Sequence, residues 1–386
     1  MRNIYLDNNA TTAIAPEVLA AMHPFLTELW GNPSSMHAFG GQVARHVSHA
    51  REQVAALLHA DPSEIVFTSC GTESDNMAIF GAMEAAARPL RIITSRVEHP
   101  AVLGPCRRLK ESGLEVIELG VDNAGRLDLA ELKAALAAGP ALVTLMWANN
   151  ETGVIFPIRE IAEMVKAAGG ILHTDAVQAV GKIPIDLRQT PVDMLSLSGH
   201  KLHAPKGIGA LYIRKGTRIK PFLIGGHQEN GRRGGTENVP YIVGLGQACE
   251  LAQAYIKEEN TRVAALRDRL EAGLLQSCPD TRVNGDQQNR LPNTTNISFQ
   301  FIEGEAILYH LSDFGVAAAS GSACTSGSLE PSHVIRAMGV PFTAAHGSTR
   351  FSFSRYNTDA DVDDVLACMP GIVKKLRAMS PFVKQG

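Results

Sequence analysis

The chain has 386 residues, 45% of them hydrophobic, and carries 36 Lys and Arg against 39 Asp and Glu for a formal net charge of −3. That balance is ordinary for a soluble globular protein and gives no electrostatic ground for binding nucleic acid or a membrane surface. No run approaches the roughly 18 apolar residues of a membrane-spanning helix, and the opening segment lacks the apolar stretch of a signal peptide. The expected compartment is therefore the cytoplasm, where the six cysteines are thiols. None of them forms a C-x-x-C pair, so neither a zinc ribbon nor a ferredoxin-type cluster is indicated.

Tyr5-Leu6-Asp7-Asn8-Asn9-Ala10-Thr11-Thr12 reads as a polar opening segment, whose asparagines suit the orientation of a ligand carboxylate. A helix is expected from Pro16 to about Leu29, a turn at Gly31-Asn32-Pro33-Ser34-Ser35, and a second helix from Gly41 to His59. From residue 64 strands and helices alternate. Strands are expected at 65–68, 92–95, 115–119, 141–146, 171–174, 192–197 and 208–213. Helices fall at 76–87, 102–111, 128–138 and 158–168. Apolar strands separated by helices predict a mainly parallel sheet covered on both faces. A helix over 241–272 leads out of this region. The remainder of the chain has α+β character: strands at 295–299 and 350–354, helices at 303–311 and 359–377. The division expected is a large α/β domain over residues 14–258 and a smaller α+β domain made of residues 1–13 and 259–386.

In such sheets ligands gather at the carboxyl ends of the strands. Thr72, His99, Asn150, Asp175, Gln178 and Lys201 all fall there. One apolar strand stops at Ser198-Gly199-His200-Lys201, which displays a lysine in a polar turn and suits Schiff-base chemistry once desolvation or nearby charge lowers its pKa. Ser198 and His200 are placed to donate to a phosphate. Cys70-Gly71-Thr72-Glu73-Ser74-Asp75 reads as a turn into a helix, where free amides attract phosphate and Gly71 allows close approach. The same residues also read as a capping box, Thr72-x-x-Asp75. Asp175 paired with a protonated pyridine nitrogen, and Lys201 opposite, form the pattern of a pyridoxal phosphate site. Gln178 and Asn150 suit the phenolic oxygen of that cofactor, and His99 suits ring stacking and proton movement. A metallohydrolase built on His99, His173, Asp175 and His200 is the competing class, but no H-E-x-x-H or paired-carboxylate motif supports it.

With His173-Thr174-Asp175-Ala176-Val177-Gln178, Ser198-Gly199-His200-Lys201 and Ala319-Ser320-Gly321-Ser322-Ala323-Cys324-Thr325-Ser326-Gly327, the chain resembles the cysteine desulfurases of pyridoxal phosphate (PLP) fold type I. The resemblance runs from Tyr5 to Tyr356. Met146-Trp147-Ala148-Asn149-Asn150-Glu151-Thr152-Gly153 and Gly234-Gly235-Thr236-Glu237-Asn238 are most similar to the nitrogen-fixation (NifS) type. The resemblance implies a PLP-dependent transferase fold in which Lys201 binds pyridoxal 5'-phosphate covalently and Asp175 pairs with its ring nitrogen. Gln178 and Asn150 would contact the ring oxygen, and Gly71, Thr72, Ser198, Gly199 and His200 would bind phosphate. Thr236 would be contributed across a homodimer. Arg350, with Asn32 and Asn150, would hold the substrate carboxylate. Cys324 would take sulfur from L-cysteine as a persulfide, leaving L-alanine, and pass it to an iron–sulfur scaffold protein. Through that persulfide Cys324 would also serve as a transient iron–sulfur ligand. The runner-up within the fold is a selenocysteine lyase or an aminotransferase, neither of which needs such a thiol.

The residues around Cys324 support its part independently. Small residues build a loop that can visit both a buried substrate and an outside acceptor. An unperturbed thiol of pKa about 8.5 is only about 3% thiolate at pH 7. Cys70, Cys106, Cys249, Cys278 and Cys368 lie in or beside apolar segments or helices and are read as packing.

Overall fold

The structure is a computed structural model that describes residues 2–320 and 330–381. In chain order the strands are β1 (Ile4–Tyr5), β2 (Ile65–Thr68), β3 (Arg91–Ser95), β4 (Val116–Leu119), β5 (Ala141–Thr144), β6 (Ile171–Asp175), β7 (Met194–Ser198), β8 (Gly209–Ile213), β9 (Thr281–Val283), β10 (Thr294–Phe299), β11 (Val316–Ala317) and β12 (Ser348–Ser352). The helices are α1 (Pro16–Thr27), α2 (Ala38–Leu58), α3 (Gly71–Ala85), α4 (Pro100–Glu111), α5 (Leu129–Leu136), α6 (Ile158–Ala167), α7 (Val239–Glu258), α8 (Ala264–Ser277), α9 (Gly304–Asp313), α10 (His333–Ala337), α11 (Phe342–Ala345) and α12 (Asp359–Met379).

The large sheet has the order β2-β8-β7-β6-β5-β3-β4. Its neighbours pair in parallel except at β8, which runs antiparallel to both β2 and β7. Successive residues of each strand feed opposite cores. Ile65, Phe67, Ile93, Val143 and Leu195 face one cluster, whereas Val66, Ile92, Leu142, Met194 and Leu211 face the other. Burial on both faces explains why these strands read as unbroken apolar runs rather than alternating ones.

A third cluster, containing Leu266, Leu270, Leu274, Ile297, Phe299, Phe351 and Val365, lies under the antiparallel sheet β12-β10-β9 and helices α8, α9 and α12. The opening strand β1 joins this region by pairing with β11. The helix expected over 241–272 is one path in three pieces: α7, a π-helical turn over Glu259–Val263, and α8. Asn260 Nδ2 donates to both Ile256 O and Lys182 O, and Thr261 Oγ1 donates to Lys257 O. Side chains competing for these carbonyls favour the wider π turn.

Helix α3 begins at Gly71, five residues before the expected start at 76. Cys70 is its N-cap, and its Sγ accepts from Glu73 N, while Glu73 Oε2 accepts from Ser69 N. The expected capping box Thr72-x-x-Asp75 does not form: Thr72 lies inside the first turn and Asp75 is buried. Cysteine is outside the usual N-cap set, so sequence rules place the start too late.

Candidate active site

The carboxyl ends of β2, β3, β5, β6 and β7 converge on a cavity of about 360 Å³, a volume suited to a small molecule. Gly71, Thr72, His99, Asn150, Asp175, Gln178, Ser198, His200, Lys201 and Arg350 all line it. Gly199, Asn32 and Thr236 do not. Gly199 is buried, and a Cβ there would come within 2.8 Å of Ile208 Cγ2, so its smallness serves packing. Asn32 is exposed and its side chain accepts from Ser34 N within its own turn. Thr236 is exposed, in a loop that Arg233 ties to Glu73 of α3 at 2.9 Å. Cys324 lies outside the described residues.

Lys201 Nζ donates to the carbonyls of Asn9 and Ala10. Gln178 Nε2 donates to the same Asn9 oxygen at 3.0 Å. Asp175 Oδ1 accepts from Val177 N at 2.9 Å. Burial raises the pKa of Asp175, while His99 and Lys201 oppose the rise, so this carboxylate is stabilised by any cation brought against it. His99 caps α4 with Nδ1 accepting from Ala101 N. Burial lowers its pKa, and the neutral ring then carries its proton on Nε2. His200 is pushed down to about 4 by burial and by Lys201, Lys206 and Lys182.

The site contains groups that sequence reasoning missed. Arg350 donates through Nη2 to Asp7 Oδ1 at 2.6 Å and through Nη1 to Asn150 O at 2.9 Å. Asp7 thus orients the arginine from 343 positions away. Cys70, read as packing, lines the cavity and is half-buried. Asp75, which also lines the cavity, and Glu98 are buried, and one oxygen of each accepts no hydrogen bond among the described residues, although Asp75 Oδ1 lies 3.5 Å from His173 Nε2. Burial first, then the Asp175 charge, pushes Asp75 well up. His173, bridging Thr144 and Ser196, is driven down to about 3 by burial alone.

The donor set fits a PLP cofactor. The first N–H groups of α3 lack intrahelical acceptors, and a Cβ at Gly71 would lie 2.8 Å from Val177 Cγ2, so glycine lets the start of α3 pack against Val177 at the cavity wall. Ser198 Oγ lines the cavity and is buried without a partner among the described residues. Asp175 and Lys201 line the same cavity, so a carboxylate that would suit a ring nitrogen and an amine that would suit an aldehyde are both at hand. Among the described residues no group of three or more His, Cys, Asp or Glu is arranged to hold a metal ion.

Burial pushes Glu98 from 4.5 up to about 8. The folded chain therefore holds a proton there that the unfolded chain releases, and stability falls as pH rises from about 4.5 to about 8. Glu98→Gln removes this dependence. Denaturant titrations across pH 5 to about 8.5 should show the variant gaining on the parent by up to roughly 1.4 kcal/mol per pH unit. Parallel stability curves would show that Glu98 ionises freely in the folded chain.

Comparison with known proteins places these observations. Residues 4–365 match the family described as Aminotransferase class-V. The chain is 62% identical over 384 residues to a cysteine desulfurase of Gluconacetobacter diazotrophicus, covering 99% of this chain and 96% of that one. It is 57% identical over 383 residues to the cysteine desulfurase NifS of Azotobacter vinelandii, covering 99% and 95%. The solved structure of a NifS-like protein superposes with a TM-score of 0.91 at 39% identity, covering 97% of this chain and all of that one.

Proposed function

The chain belongs to the class-V aminotransferase family and, within it, to the PLP-dependent cysteine desulfurases; from that premise we propose how its own residues divide the work of converting L-cysteine to L-alanine. The observation that carries the assignment is the meeting of Lys201, Asp175 and the start of α3 in one cavity.

Lys201 would carry the cofactor, Asp175 would pair with its ring nitrogen, and Gln178 and Asn150 would serve its ring oxygen. Gly71, Thr72, Ser198 and His200 hold the phosphate, with Gly199 shaping the turn that presents them. When bound, pyridoxal phosphate supplies an electron sink for negative charge developing on the substrate α-carbon. Arg350 holds the substrate carboxylate, oriented by Asp7; Asn32, which does not line this cavity, would assist only if its turn were brought to a site. The Lys201 amine would take the α-proton, and His99 would move protons from its Nε2. Cys324 attacks the substrate sulfur: the carbon–sulfur bond breaks, a sulfur–sulfur bond forms, and alanine leaves after protonation.

Members of this family use L-cysteine and typically work as dimers with sulfur acceptors. We read the present chain as a homodimer in which Thr236 completes the neighbouring site. Support comes from its exposure and from the exposed apolar residues Trp30, Phe222 and Ile224. Residues 14–258 form the cofactor domain, and residues 1–13 with 259–386 the smaller one. The sulfur goes to an iron–sulfur scaffold, with nitrogenase maturation as its purpose and the Cys324 persulfide as a transient cluster ligand. No helix among the described residues is long and apolar enough to cross a membrane, and the five described cysteines are free thiols; both accord with work in the cytoplasm.

Asp175→Asn tests the division of roles. It removes the anion from the ring nitrogen but leaves the phosphate contacts, so turnover of L-cysteine should fall at least about a hundredfold while the protein stays coloured. Undiminished turnover would mean that another group stabilises the ring charge.

A further inference from the structure

We propose that Lys182 is a positioning residue for the active-site lysine: its ammonium fixes the orientation of the Gln178 amide, and through the Asn9 carbonyl that this amide shares with Lys201 it governs the place and proton affinity of the Lys201 amine. The inference rests on the reading of Lys201 as the cofactor lysine.

Lys182 is 6% exposed. Its Nζ donates to Gln178 O at 3.2 Å and to Gln178 Oε1 at 3.0 Å. An ammonium has donors and no acceptor, so the amide must turn its oxygen toward Lys182. That choice directs Nε2 to Asn9 O at 3.0 Å, the carbonyl on which Lys201 Nζ also rests. Turning the amide over would set N–H against ammonium and oxygen against oxygen, losing both bonds. The fixed orientation leaves the second N–H of Nε2 as the donor that Gln178 offers to the cavity it lines.

Charge acts in the same sense. Lys182 and Lys201 are near enough that Lys201 lowers the proton affinity of Lys182, which burial and this neighbour together bring down to about 7. The interaction is reciprocal, so a charged Lys182 lowers that of Lys201 equally. Glu259, 7% exposed on the π turn, favours placing the charge on Lys182. A small space of about 20 Å³, lined in part by Lys182, Lys201, Glu259 and Arg355, has room for about one water. Among the described residues, Asp175 at the end of β6, His99 at the start of α4 and the adjacent His200 also act on Lys201. Arg350 acts on Lys182 from β12.

The test is a pH titration of the visible absorption band of the loaded full-length protein, in the parent, Lys182→Met and Lys182→Arg. Losing a donor from the ring oxygen and a cation from beside the lysine both favour the protonated form. Lys182→Met should therefore raise the midpoint by about one pH unit or more. Arginine is likewise donor-only and stays charged throughout, so Lys182→Arg should keep the midpoint at or below the parental one. An unmoved midpoint in Lys182→Met overturns the proposal. Should that variant not fold, Lys182→Gln carries the same titration with the same two outcomes. Borohydride reduction and peptide mapping separate the layers. Label on Lys201 with an unmoved midpoint overturns the role of Lys182 alone; label elsewhere in the parent overturns the reading beneath it and this inference with it.

Discussion

Cys324→Ala should lower the release of alanine and sulfide from L-cysteine by at least about a thousandfold while leaving the exchange of the substrate α-proton with deuterated solvent intact. Binding the substrate and removing that proton fall to Arg350, Lys201, Asp175 and His99. The thiol enters only when sulfur leaves carbon. Cys324→Ser should behave in the same way, because a hydroxyl is a poor acceptor of sulfur. The described cysteines are poor substitutes. Burial drives Cys106 and Cys249 up to about 12 and also raises Cys278 and Cys368, so none is a ready thiolate. Cys70 is the serious rival because it lines the cavity. Its sulfur is engaged as the N-cap of α3, accepting from Glu73 N, and Cys70→Ala should keep most of the turnover. Full alanine release by Cys324→Ala would move the function toward a lyase or an aminotransferase.

Lys201→Ala should also lower turnover by at least about a thousandfold, and here α-proton exchange is lost as well. The amine sits on the Asn9 and Ala10 carbonyls. The phosphate contacts remain, so the variant should still bind cofactor, without the covalent bond. Borohydride reduction of the parent followed by peptide mapping should find the cofactor on Lys201. Finding it on Lys182 or Lys206 would refute the assignment.

Much of this site was legible because strand ends are legible. Apolar runs stopping at Asp175, at Ser198-Gly199-His200-Lys201 and before Glu98-His99 announce which residues face a shared cavity. Contacts remote in sequence left no such signal. Asn9 meets Lys201 and Gln178, and Asp7 meets Arg350, only because β1 joins the smaller sheet region through β11 and the Asp7–Ser352 bridge. Asp75 and Glu98 look like helix-start and loop acids, and only their burial beside Asp175 shows why their pKa values are raised. The start of α3 was misplaced because a cysteine does the work of a serine cap. Gly199, Asn32 and Thr236 show the reverse case: neighbours of functional motifs that do not reach this chain's own cavity.

Mass spectrometry of the parent after one turnover of L-cysteine without reductant tests the central claim most directly. One added sulfur on the peptide containing Cys324, matched by one alanine per site, is the expected result. Added sulfur on the Cys70 peptide, or alanine released with no sulfur on Cys324, would contradict it.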